Sequence, residues 1–215
     1  GGGGGRIGLW YNSKASALTV EATGGLTASA SYCTNYGGAG TVYHVQSGTP
    51  SLIRIDNEPV VTSVGYATLQ GDHSTAVLSV GASTYVRPTG DLAVSRLVLD
   101  ASNKLYTSSL AMSLTVGIDA TMASGSKVEA GGTLGFSVSD DVVMASTSEI
   151  KSSGAMEGHI GGNFVACDVQ STGSTNVLTV KGGVSVLGSG CSQGLYSPSS
   201  LNVYVNGSMS LASAA

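Results

Sequence analysis

Three short segments in the middle of this chain recur at a constant step, and that step points to a stacked fold. Leu99-Asp100-Ala101-Ser102-Asn103-Lys104-Leu105 resembles Met122-Ala123-Ser124-Gly125-Ser126-Lys127-Val128, which resembles Met144-Ala145-Ser146-Thr147-Ser148-Glu149-Ile150. The Ala-Ser pairs begin at Ala101, Ala123 and Ala145. That even step, of about 22 residues, matches one coil of a parallel β-helix, in which each coil contributes two or three short strands and lies on the coil before it. Inward Val, Leu, Ile and Ala would bury against the coils above and below, with Ser, Thr, Asn and Gly at the corners and on the outside. The expected fold class is all-β, a single-stranded parallel β-helix or β-solenoid with coils of about 22 residues. Nine coils at ~4.8 Å each would make a rod on the order of 45 Å long.

Local patterning agrees. No stretch long enough for a helix places apolar side chains at helical spacing, because glycine interrupts almost every candidate and β-branched residues dominate the remainder. Alternation dominates instead: Leu92 and Val94, Leu97 and Leu99, Leu114 and Val116, Leu134, Phe136 and Val138, Leu178 and Val180, and Leu201, Val203 and Val205. These are short strands separated by Gly, Ser, Asn and Asp turns. The whole of 1–215 reads as one module, regular from 92 to 215 and less regular, Gly-rich and aromatic-rich over 1–91. Residues 34–91 hold three of the four prolines (Pro50, Pro59, Pro88). They read as an irregular coil with a long excursion or as a small flanking hairpin.

Charge narrows the function classes. Only 10% of residues are charged and the net charge is -4, with no basic stripe of the kind nucleic acid selects. No apolar run approaches the ~18 residues of a membrane helix. The chain opens on Gly1, as a processed form or a segment of something longer would. Few charges among many Ser, Thr and Gly suit an extracellular or cell-surface protein, and Asn206-Gly207-Ser208 is a glycosylation sequon. His44, His73 and His159 lie far apart without a second ligand at short spacing, so neither a metal nor another cofactor is expected. The Gly1 to Gly5 run lacks the Gly-Lys-Ser/Thr ending of a phosphate loop.

A longer-range duplication also runs through the chain. Gly4 to Gly25 and Gly161 to Gly183 each read Gly-Gly, an apolar stretch, a polar stretch, Leu-Thr-Val, a charged residue and Gly-Gly, with Cys33 and Cys191 at matching positions beyond. About seven coils would separate the copies, near opposite ends of one rod, making Cys33 and Cys191 candidate reporters of the surfaces where rods meet. Three cysteines, Cys33, Cys167 and Cys191, leave open one disulfide plus a free thiol able to pair with a neighbouring subunit, or three buried thiols.

The segments GGGGGRIGLWY (Gly1 to Tyr11), YGGAGTVYHV (Tyr36 to Val45) and LIRIDN (Leu52 to Asn57) together resemble a module of very large, repeat-rich surface or secreted proteins of bacteria and protists. The resemblance implies a parallel β-helix and an adhesive or structural role. It extends from Gly1 to Asn57. The second copy of the duplication departs from it, with Asn163-Phe164 where the first has Arg6-Ile7.

The expectation is therefore a non-catalytic structural protein of an extracellular filament or surface fibre, its β-helix units stacked end to end on copies of itself. An uncapped coil exposes unpaired backbone groups that template another strand, and no amphipathic helix stands at either terminus. The alternative is an adhesin or carbohydrate-binding module. Trp10, Tyr11, Tyr36 and Tyr43 are its candidate ligand or subunit contacts, since aromatics anchor both. A second alternative is a polysaccharide-cleaving enzyme. Asp119, Asp140-Asp141 and Gly158-His159 resemble the catalytic spacing of the polygalacturonases, although His159 is followed by Ile160 rather than Gly. That reading requires Asp119, Asp141 and His159 to converge on one outer face.

Overall fold

The computed structural model describes residues 4–13, 20, 22, 39–56, 66–81, 84–192 and 194–212. Among the described residues there are twenty strands and no helix. From Tyr66 onward the chain winds as a β-solenoid of seven coils with three walls, the coils about 22 residues long.

Two long strands, β4 (Tyr66–Val80) and β5 (Tyr85–Leu99), each make a full coil. Five shorter-stranded coils follow. Wall A carries β7 (Met112–Val116), β10 (Leu134–Val138), β13 (Met156–Ile160), β16 (Asn176–Val180) and β19 (Asn202–Val205). Wall B carries β8 (Ala120–Met122), β11 (Val142–Met144), β14 (Phe164–Ala166), β17 (Val184–Val186) and β20 (Met209–Leu211). Wall C carries β6 (Lys104–Thr107), β9 (Lys127–Ala130), β12 (Glu149–Ser152), β15 (Asp168–Ser171) and β18 (Leu195–Tyr196). Every pairing between successive coils is parallel.

Strict alternation drives the burial. In β7, Met112, Leu114 and Val116 point inward and are buried, while Ser113 and Thr115 face out. Each inward residue lies on its counterpart one coil away, as in Leu114 on Phe136 and Ile150 on Val128. The core is thus a set of apolar columns along the solenoid axis. Burying each such side chain contributes roughly 1.5–3 kcal/mol against leaving it in water.

The corners explain the recurring sequence. Ser102, Gly125 and Thr147 take a left-handed backbone (φ 57°, 74° and 61°) at the turn from wall B to wall C. The next residues, Asn103, Ser126 and Ser148, point inward and are buried. Ser126 Oγ donates to Ala123 O at 2.7 Å and Ser148 Oγ to Ala145 O at 2.5 Å. At these two corners Ala-Ser-x-Ser supplies a hydroxyl that satisfies its own turn, whereas Asn103 donates from Nδ2 to Val80 O of the previous coil at 2.7 Å. Between walls A and B, Asp140, Gly162, Gly182 and Gly207 form one column, each glycine N–H donating to the carbonyl of the residue before it in the column. A Cβ on Gly182 would lie 2.5 Å from Gly162 O, so the backbones approach as only glycine permits.

Two sequence expectations need correction. Seven coils, not nine, stack here, giving roughly 34 Å at ~4.8 Å per coil. Among the described residues, the first copy of the duplication contributes β1 beside a hairpin rather than a three-walled coil. β2 (Gly40–Gln46) and β3 (Ser51–Asp56) form an antiparallel hairpin, β3 lies parallel on β4, and β1 (Arg6–Tyr11) adds parallel to β2. The turn at Gly48, with φ 78°, reverses the chain between β2 and β3. Gly161 to Gly183 covers one coil, whereas Gly4 to Tyr11 enters β1 beside the hairpin. Cys33 and the rest of that first copy beyond Ser13, except Val20 and Ala22, lie outside the described residues.

Candidate functional site

The last coil is the most unusual surface of the molecule. Its inward positions continue the core columns, but nothing covers them among the described residues. Leu178 is fully buried and Val203, which pairs with it, is only half-buried. Val184 is 3% exposed and its partner Met209 49%; Val186 is 8% exposed and its partner Leu211 70%. A depression of about 570 Å³ lies here, lined by Leu187, Leu195, Leu201, Val203, Met209 and Leu211 among others.

This open end is held firmly in place. Cys167, fully buried at the junction of β14 and β15, is disulfide-bonded to Cys191 at the following coil, with Cα atoms 5.2 Å apart. Cys191 is therefore committed within the solenoid and cannot report a joint with Cys33. The carboxylate of Asp168 accepts the N–H of Ser192 at 2.9 Å, its hydroxyl at 2.8 Å and the N–H of Gly194 at 2.9 Å. Asn176, buried where Met112, Leu134 and Met156 stand in earlier coils, donates from Nδ2 to Gly173 O and Ser200 O, both at 2.8 Å.

Of the aromatic residues expected to form a contact surface, Trp10 and Tyr43 stand on one face of the β1–β2 pair and Tyr11 on the other. Trp10 and Tyr11 are neighbours on β1 and so face opposite sides of it. Trp10 is 72% exposed, its ring folded over Gly8, and Gly8 pairs with Tyr43. Tyr43 packs against the core, and with Arg6, Thr41, Ile53, Thr68, Leu69 and His73 it lines a depression of about 310 Å³. Tyr11 meets His44 edge-to-face, ring centroids 6.2 Å apart. Tyr36 lies outside the described residues.

The residues of the enzyme reading sit near one another but in other employment. Asp119 and Asp141 occupy equivalent positions of one corner, since Ala120 N donates to Asp141 O. Asp119 pairs with Arg96 at 2.5 Å and Asp141 accepts the N–H of Asn163 at 2.6 Å. His159 stands on the flat outer side of wall A, with Glu157 at 3.1 Å. Asn206 is exposed at the A–B corner of the last coil. No group of three or more His, Cys, Asp or Glu able to hold a metal occurs among the described residues.

A cluster that sequence reasoning missed lies on the outer side of wall C. Tyr66 pairs with Tyr85, and Tyr85 with Lys104. Tyr106 meets both Tyr66 and Tyr85 edge-to-face at 6.2 Å. Arg87 lies over the Tyr66 ring at 5.3 Å and Lys104 over the Tyr106 ring at 5.2 Å. Farther along, Lys127 and Glu149 pair at 2.7 Å; this bond, working against some desolvation, holds the Lys127 amine above its ordinary pKa.

Neither family models, curated proteins nor solved structures give a match to this chain.

Proposed function

We propose that this chain is a non-catalytic structural unit of an extracellular filament or surface fibre, joined to further β-solenoid coils through its C-terminal coil. The observation that carries this reading is the continuation of the buried core columns to the half-buried Val203 and the exposed Met209 and Leu211. The outer edges of β19 and β20 offer backbone groups for one more parallel or antiparallel layer. Such a layer would gain about 1.5–3 kcal/mol of stabilisation per apolar side chain it covers. A second copy supplies a coil of matching chemistry. The Cys167–Cys191 disulfide supports an oxidising compartment, as outside the cell. The engagement of Asp119 with Arg96 and of Asp141 with a backbone N–H supports a structural use of those carboxylates.

Sedimentation velocity and negative-stain imaging of the oxidised protein test the proposal. Concentration-dependent association should appear, and Leu211→Lys should abolish it while leaving the far-ultraviolet β signature intact. A uniform monomer at high concentration, or association indifferent to Leu211→Lys, overturns it.

A further inference from the structure

The tyrosine cluster on wall C lies along the side of the solenoid, away from its ends, and end-to-end joining does not account for it. Beneath it the wall is already well packed. Val86 and Leu105 are fully buried. On neighbouring coils the outward positions of the other two walls carry no aromatic side chain, as at Asp72, Ala93, Ser113 and Thr115 on wall A and Arg96, Val98 and Thr121 on wall B. The fold therefore does not require outward aromatics. Here three rings from successive coils stand together, at a strand spacing of ~4.8 Å.

Their chemistry is specific. Tyr66 is 41% exposed, and Tyr85 and Tyr106 are partly exposed, so ring edges and hydroxyls reach solvent. Arg87 is oriented by hydrogen bonds to Tyr66 Oη (3.3 Å) and Ser108 Oγ (2.9 Å). Those two bonds leave guanidinium donors for an anion. Lys104 stands beside it, paired with Glu129 at 2.5 Å. Farther along the outer side of the wall are Lys127 and Lys151, with Glu129 and Glu149 as the opposing carboxylates. Four cations thus stand against three carboxylates along this wall, Glu129, Glu149 and Asp168, in a chain whose net charge is -4. Asp168, at the end of this row, is buried and held by Ser192 and Gly194.

We propose that this face binds an anionic polysaccharide. Sugar rings would lie against Tyr66, Tyr85 and Tyr106, while carboxylate or sulfate groups meet Arg87 and Lys104. Tyrosine offers an apolar face with a polar rim, as a pyranose requires. Charge complementarity selects acidic over neutral chains and makes binding fall with salt.

Binding is measured by calorimetry with polygalacturonate (carboxylate), dextran sulfate (sulfate), neutral dextran and single-stranded oligo-dT. The wild-type chain should bind at least one acidic polysaccharide, more weakly as salt rises, and more tightly than dextran or oligo-dT. Which of the two acidic polymers binds identifies the anionic group. Arg87→Gln and Tyr106→Ala should each weaken binding at least about tenfold, the scale of one lost stacking or charge-assisted contact. Should Tyr106→Ala lose its β signature, the more exposed Tyr66→Ala takes its place. Lys181→Gln, at the A–B corner, should leave affinity unchanged. The proposal fails if neither acidic polysaccharide binds, if dextran or oligo-dT binds as well, or if Arg87→Gln and Tyr66→Ala bind like wild type.

Discussion

The column Leu114–Phe136–Gly158–Leu178 on wall A makes a quantitative prediction about packing between coils. These residues pair in register and all point into the core. Gly158 is the odd member, and its neighbours explain why. A Cβ there would lie 2.5 Å from Phe136 Cζ, 2.7 Å from Phe136 Cε1 and 2.8 Å from Leu178 Cδ1. The Phe136 ring thus occupies the volume that a side chain at 158 would need. Gly158→Ala should cost about 1–3 kcal/mol for overpacking, less about 0.4–1 kcal/mol from the stiffer unfolded chain. The net is a destabilisation of roughly 0.5–2 kcal/mol. Phe136→Leu alone leaves a void and should cost about 1–2 kcal/mol, on a scale where Phe→Ala costs about 3–5 kcal/mol. Combined, the new methyl group enters the space the ring has left. The double variant should then be more stable than additivity predicts by about 1 kcal/mol or more. Guanidinium denaturation followed by circular dichroism reads this, with comparison restricted to variants of equal slope. Strict additivity, or a Gly158→Ala variant as stable as wild type, would refute the nesting of ring over glycine.

The disulfide, one buried amide and one ion pair each give a further expected outcome. The Cys167–Cys191 link spans 24 residues, so Cys167→Ser/Cys191→Ser should lose about 3 kcal/mol by loop-closure entropy, read as a lower melting temperature that reductant no longer changes. Asn176→Ala removes a buried amide that serves Met156 N, Gly173 O and Ser200 O, and should cost about 1–3 kcal/mol by denaturant unfolding. Lys127, whose pKa is raised above 10.5 by Glu149, stabilises the fold fully below its unfolded value. That contribution is lost as pH rises through the higher folded value, so the difference between wild type and Lys127→Gln in thermal scans should shrink only above about pH 10.5.

The repeating corner is visible in sequence because its demands are local: a left-handed residue, then a hydroxyl that closes its own turn. Other steps leave no such mark. Met156 pairs with Asn176 over a step shorter than the regular coil, and Val177 pairs with Asn202 over a longer one. The uneven lengths are absorbed by the disulfide, Asp168 and Asn176, tertiary features without a periodic signature. The first two coils leave no mark either, because β4 and β5 run 15 residues each without a glycine pair to flag a corner. β4 turns instead through register shifts between Leu69 and Gly71 and between His73 and Val77. The tyrosine cluster is hidden for another reason: the register partner of Tyr85 is Lys104, and Tyr106 reaches the cluster from two residues farther on, so the three tyrosines follow no constant step. Grouping aromatics by nearness in sequence favours Trp10, Tyr11 and Tyr43, whereas a solenoid groups residues by coil.

The C-terminal coil bears on how copies would meet under the proposed joining. There β18, β19 and β20 belong to one coil and present all three walls at nearly one level. At the other end, among the described residues, β3, β2 and β1 extend wall B by three strands or about 14 Å. Two C-terminal coils facing each other would bury Met209 and Leu211 on both sides. That contact would be isologous and close at two copies, whereas a head-to-tail contact would be heterologous and keep growing. A filament grown through the C-terminal coil therefore requires the head-to-tail arrangement.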